Sequence, residues 1–167
     1  LSTGDDLKGV RVAFSANFGY VNVDPQIQAL VGQAVERLAQ LGAHVEAVDP
    51  GFDDPVETFN TLWFAGAARL VSQLSAEQRA LIDPGLLQIA ERGAQISLAE
   101  YTLALEARSA LVARMNAFHE RYDVLVTPTL PLAAFEAGHN VPPASNFKQW
   151  MDWTPFSYPF NLTQHLL

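Results

Sequence analysis

The side chains able to do covalent chemistry in this 167-residue chain are four histidines, eight serines and two lysines, with no cysteine. Absence of cysteine removes disulfides, thiol nucleophiles and zinc-thiolate sites together, and fits a reducing, cytoplasmic compartment. His44, His119, His139 and His165 share no metal-ligand spacing. His44 falls in a strand pattern and His119 in the last turns of a long helix, where it reads as a favourable charge at a helix end. A serine–lysine pair needs a serine among glycines whose N–H groups can hold an oxyanion. Lys8 precedes the first strand and Lys148 lies in a long loop, and neither has such a serine beside it. The carboxylates mostly occupy helix caps or helix surfaces. The residues therefore give no catalytic nucleophile and no metal site.

What the residue types do offer is binding surface. Val124, Leu125 and Val126 make a short buried strand that ends in Thr127-Pro128-Thr129-Leu130-Pro131. The prolines remove backbone donors and force extended geometry. A strand ending in so rigid a loop presents a wall at the carboxyl edge of a sheet, where α/β proteins place their ligand crevices. Further on, Trp150, Trp153, Phe156, Tyr158 and Phe160 crowd into eleven positions. That much apolar surface calls for a ligand or a partner surface to cover it.

Three regions must position these pieces. Residues 1–50 read as a βαβ unit. A strand at 10–15 and a helix started by Asp24-Pro25 lead to a Gly42 stop and a second strand at 43–48. The helix carries an apolar stripe of Ile27, Leu30, Val31, Ala34, Val35, Leu38 and Leu41, and the two strands should be parallel. The first turn, Ser15 to Tyr20, contains neither GxGxxG nor GxxxxGK[ST], so no nucleotide cofactor, and no other cofactor, is implied. Residues 54–121 read as helical. Asp54, Pro55 and Glu57 form a capping box. Ser75/Gln78 and Asp83-Pro84 start short helices, and Gly93 interrupts. Ser97 and Glu100 open a long helix to Arg121, with Leu98, Tyr101, Leu105, Leu111, Val112, Met115, Phe118 and Tyr122 as its apolar set. Residues 122–167 hold the strand, the proline loop, an aperiodic loop over 133–149 and the aromatic segment. The fold class is α/β: three layers, α/β/α, around a mixed sheet that is incomplete at one edge.

Composition bounds the partners. A net charge of −8 with no basic cluster disfavours nucleic acid and anionic membrane surfaces. Charged residues make up 17 % of the chain, against about 25 % in an average soluble domain. That shortage suggests surface covered by more protein. No apolar run is long enough to span a bilayer.

The run Tyr122-Asp123-Val124-Leu125-Val126-Thr127-Pro128-Thr129-Leu130-Pro131, followed by Pro155-Phe156-Ser157-Tyr158-Pro159-Phe160-Asn161-Leu162-Thr163-Gln164, resembles the carboxyl-terminal part of the amidase signature family. Leu7-Lys8-Gly9-Val10-Arg11-Val12-Ala13, Val23-Asp24-Pro25 and Leu41-Gly42-Ala43-His44-Val45-Glu46 are similar to the same family. The resemblance implies hydrolysis of amide carbon–nitrogen bonds by a Ser-Ser-Lys triad carried on the amino-terminal half. No Gly-Gly-Ser-Ser-like stretch or matching lysine segment occurs here, so no catalytic role carries over. Pocket wall does carry over, at Thr127, Pro128 and Thr129 in the proline loop and at Phe156, Ser157 and Tyr158 in the aromatic segment. The family pattern also continues past Gln164 into a further core strand, from which His165-Leu166-Leu167 departs.

The expectation is a carboxyl-terminal amidase fragment that contributes pocket wall and scaffold and is inactive alone. Its partners would be the amino-terminal half of the parent enzyme and, in the complete protein, a small amide substrate. The competing expectation is a stand-alone module that binds a ligand or a protein through the aromatic face at 150–160. Self-association through residues 150–163 or the open sheet edge is expected of the isolated chain.

Overall fold

The computed structural model describes residues 6–165, which divide into two compact units, residues 6–54 with 112–165 and residues 55–111. The first unit holds the sheet. Strand β1 (Arg11–Phe14) leads to helix α1 (Pro25–Gln40) and strand β2 (His44–Ala47). The Asp24 side chain accepts the N–H of Gln26 at 2.7 Å, with Pro25 in the first helical position, so both sequence signals for the helix start are used. At the other end Gly42 takes φ 100° while its N–H bonds to the carbonyl of Ala39, and the N–H of Ala43 reaches the carbonyl of Leu38. This paired closure needs a left-handed residue, which is why a glycine stands there. The buried stripe is narrower than the apolar pattern: Val35 is buried, whereas Leu30 is 56 % exposed.

Strand β3 (Val124–Val126) pairs with β1 on the side opposite β2, giving the order β2-β1-β3. Both pairings are parallel, with Val12 facing Val45 and Val124. The expected mixed sheet is thus corrected to a parallel one among the described strands, because each strand returns through a helical crossover rather than a hairpin. Successive side chains point to opposite faces of a strand. Val12 and Ala13 are both buried, at 2 % and 0 % exposure, so the central strand is covered on both faces, as an α/β/α layering requires. Arg11 clamps the edge pairing: its Nη2 and Nε donate to the two oxygens of Asp123 at 2.7 and 3.1 Å, and its Nη1 to the Glu120 carbonyl.

The second unit is helical. Helix α2 (Val56–Ser72) is followed by α3 (Ala76–Arg79) and α4 (Pro84–Gly93). The start of α2 falls one residue later than the sequence suggests, with Pro55 at the N-cap. The Ser75/Gln78 box and the Asp83 cap form as their spacing predicts. Gly93 does more than interrupt. A β-carbon there would run into the Phe64 carbonyl, so the residue lets α4 press against the backbone of α2, while Arg92 lies over the Phe64 ring.

Helix α5 (Leu98–His119) begins in the second unit and joins the first from Val112 onward. Its Ser97/Glu100 capping box is present, with the Ser97 N–H on Glu100 at 2.8 Å and the Glu100 N–H on Ser97 at 3.2 Å. The apolar face is corrected. Leu111 and Met115 are buried, but Leu98 is 81 % exposed, and Tyr101 and Leu105 are exposed as well. A 3-10 turn (Trp150–Trp153) and helix α6 (Tyr158–Thr163) end the described chain. Leu166 and Leu167, where the sequence departs from the family pattern, lie outside the described residues.

Candidate functional site

The site is built at the carboxyl end of β3. Because β1 is followed by β2 on one side and flanked by β3 on the other, the chain changes direction between β1 and β3. Crevices of parallel sheets form outside the strand ends at such a point. The Ser15 N–H donates to the Val126 carbonyl at 3.0 Å, so the two strand ends leave the sheet side by side. From there Thr127-Pro128-Thr129 runs on as a loop, with the Thr127 hydroxyl donating to the Pro128 carbonyl at 2.9 Å.

Along this strand and loop lies a cleft of about 490 Å³. The structure brings Thr127, Pro128, Thr129, Phe156 and Ser157 together around it. Tyr158 does not join them. Its ring is buried, and its hydroxyl donates to Asp54 at 2.7 Å, a residue that does not line the cleft. Burial, and then the Asp54 hydrogen bond, push the Tyr158 pKa far up, so it stays a protonated donor.

Strand residues Val124, Leu125 and Val126 also line the cleft, as do Phe160 from the aromatic segment and three residues that the sequence reading did not connect with it, His119, Asp123 and His165. The His119 ring, at the last residue of α5, stacks on His165 with centroids 5.1 Å apart, and its Nδ1 lies 3.2 Å from the Tyr122 carbonyl. Burial, then the neighbouring His119, lower the His165 pKa, against a hydrogen bond with the Thr163 backbone that raises it. His165 is thereby disposed to stay neutral. A signal for this pairing was present only in outline, since the two histidines are separated by 46 positions and no local spacing joins them. Asp123 is held by Arg11, which brings its pKa down to about 2 and keeps a carboxylate at the cleft's rim.

The aromatic segment behaves differently from expectation. Phe156, Tyr158 and Phe160 are buried, at 2 %, 4 % and 7 % exposure. Phe18 sits 5.1 Å from Phe156, ring to ring, so an aromatic residue from the turn after β1 covers the segment, and Phe52 from the stretch after β2 backs Phe18 at 5.2 Å. Trp153 turns the other way, donating to the Asn140 carbonyl and meeting Phe135 edge-on, which pins the loop over 133–149. Of the aromatic face expected at 150–160, Phe156, Tyr158 and Phe160 are therefore turned inward. The rings supply core and cleft floor, and of the large apolar residues there Trp150 is the exposed one.

Among the described residues no cluster of three potential ligands could hold a metal ion, and no helix is long and apolar enough to cross a membrane. The cleft offers hydroxyls at Thr127, Thr129 and Ser157 around apolar walls, a surface suited to orienting a partly apolar ligand.

The model of the amidase family matches residues 2–166. The chain belongs to the amidase family. Among curated relatives, an acylamidase of Rhodococcus erythropolis is 32 % identical over 163 residues, which cover 94 % of this chain and 34 % of the relative. An amidase of Pseudomonas putida is 25 % identical over 139 residues, covering 83 % and 30 %. Among solved structures, a bacterial aryl acylamidase of the amidase signature enzymes superposes with a TM-score of 0.72 at 23 % identity, over 95 % of this chain and 36 % of that one. A crystal structure of an amidase gives 0.80 at 21 % identity, over 95 % and 37 %. The structural likeness shows the fold. This amidase-family chain spans about a third of the length of the relatives it matches.

Proposed function

We propose that this chain is the carboxyl-terminal part of an amide hydrolase, supplying sheet scaffold and one wall of the acyl-binding cleft while the Ser-Ser-Lys triad lies on an amino-terminal part of the same polypeptide. The observation that carries the reading is the cleft at the carboxyl end of β3, where Thr127, Pro128, Thr129, Phe156 and Ser157 converge from two segments 27 positions apart. Its walls suit a small or medium, partly apolar acyl group held by hydroxyl hydrogen bonds. Tyr158 acts behind the wall, through Asp54, rather than on the substrate.

Acyl transfer needs an activated nucleophile, and binding surface alone supplies a small part of the acceleration. The chain by itself is expected to hydrolyse neither acetanilide nor hexanamide above a buffer blank. A polypeptide that also carries the upstream triad should hydrolyse at least one, and Phe156→Leu should shift its preference between the two. Turnover by the chain alone, or a preference indifferent to Phe156, would overturn the proposal.

A further inference from the structure

The turn that follows β1 contains a hydrogen-bonded chain, running from the buried Ser15 to the exposed Asp49, that the proposed function leaves unused. Ser15 is 1 % exposed. Its hydroxyl donates to Asp49, at the end of the β2 segment, and its oxygen accepts the N–H of Phe18 at 2.9 Å. Phe18 stands at φ 56°, a left-handed conformation that a residue with a β-carbon rarely adopts unless its surroundings impose it. Two features help impose it. The Asn17 side chain accepts the Gly19 N–H at 2.9 Å, and Gly19 follows at φ 83°, a conformation that glycine takes without strain. The Phe18 ring, 3 % exposed, lies 5.1 Å from Phe156 and 6.1 Å from Phe160. Both of those rings line the cleft.

We infer that Ser15 and Asp49 are positioning residues: their hydrogen bond locks Phe18 in its left-handed turn, and Phe18 in turn sets where the Phe156 and Phe160 rings stand in the cleft wall. The pair thus determines the depth available to an apolar acyl or aryl group, a role that rests on reading the cleft as acyl wall. The geometry shows why a carboxylate suits the position. A serine hydroxyl has one proton to give, and once that proton is committed to Asp49 its lone pairs are free to receive Phe18. Charge assistance strengthens the first bond, and the second is then held in a place where water does not compete.

The test uses the chain labelled with ¹³C-phenylalanine and ¹³C-methyl methionine and titrated with acetanilide. Asp49→Ala and Ser15→Ala should each move the Phe156 and Phe160 ring resonances, and should weaken acetanilide binding about tenfold, the scale of one methylene in an apolar pocket. Asp49→Asn keeps an acceptor oxygen and should restore both. The methyl resonances of Met115 and Met151, buried elsewhere in the same unit, should stay in place throughout and so report that the fold is intact. Rings unmoved by both alanine variants, or moved equally by Asp49→Asn, would overturn the positioning role. A different result isolates the reading beneath it: if Phe156→Leu binds acetanilide as tightly as the unaltered chain, the cleft is not an acyl wall, and a role in setting its depth falls with it.

Discussion

Arg11 and Asp123 show how one pair of residues fixes an edge strand without being buried. The guanidinium meets both carboxylate oxygens, and the Arg11 backbone N–H meets one of them again at 2.8 Å. These bonds, the side-chain ones first, hold the Asp123 pKa at about 2, below its ordinary value of about 3.9 in an unfolded chain. A carboxyl depressed on folding adds stability that is fully present above the unfolded value and disappears as pH falls through the folded one. The unaltered chain should therefore lose stability between about pH 4 and pH 2, and Asp123→Asn should flatten that limb in an acid titration followed by circular dichroism. High salt should shrink the difference, since both side chains meet solvent. Gly93 gives a second residue-scale expectation. Its β-carbon would collide with the Phe64 carbonyl, so Gly93→Ala should cost about 1–3 kcal/mol in urea unfolding despite alanine's better helix propensity. An unchanged midpoint would mean that α2 and α4 separate at no cost.

At the scale of elements, α5 depends on its cap more than on its stripe. The first turns carry exposed Leu98, Tyr101 and Leu105, so little burial there offsets the entropy of ordering the helix. Ser97 and Glu100 satisfy the N–H groups that those turns leave open. Ser97→Ala should therefore cost about 1 kcal/mol and speed amide hydrogen exchange at residues 98–101, whereas Ser97→Asp should restore protection. Equal exchange rates in all three proteins would show that packing, not the cap, holds the helix start. Element α6 makes the opposite point. It is only six residues long, yet Tyr158, Pro159, Phe160, Leu162 and Thr163 are all buried. Tyr158→Phe keeps the ring but removes the proton held by Asp54, and a loss of about 1 kcal/mol is expected from that half-buried bond alone.

For the whole molecule the question is which surface remains to be covered. The aromatic segment offers little of it, since Phe156, Tyr158 and Phe160 are inside and Trp150 is its exposed ring. Strand β3 is an edge of the described sheet, with Val124 43 % exposed and no lysine or proline within Val124-Leu125-Val126 to blunt it. In a full-length relative the rest of the polypeptide is available to cover such an edge. Alone, the chain should self-associate there. Sedimentation equilibrium should show mass rising with concentration, reduced by Val124→Lys and unaffected by Trp153→Ser. A monomer at every concentration, or association abolished by Trp153→Ser alone, would place the argument on the wrong surface.

Sequence by itself determined the features whose physics is local. Asp24-Pro25, Gly42, Ser75/Gln78, Asp83-Pro84 and Ser97/Glu100 each begin or end a helix through bonds spanning a few residues, and each does so in the structure. The βαβ unit and the strand before Thr127 were legible as elements for a similar reason, because an alternating or continuous apolar run favours extended chain, although Val124, expected inside, is 43 % exposed. Only the tertiary structure decided what depends on which distant surfaces meet. A helical apolar pattern states that residues share a face, not that anything covers it, so Leu98 and Leu30 read as core and stand in solvent. Crowded aromatics state that apolar area must be hidden, not where, and Phe18, from the turn after β1, supplied the cover. His119 and His165, 46 positions apart, became neighbours in the cleft through the same folding back of the chain. Tyr158 left the wall for Asp54 because a buried hydroxyl must find an acceptor, and which acceptor lies within reach is settled by the fold.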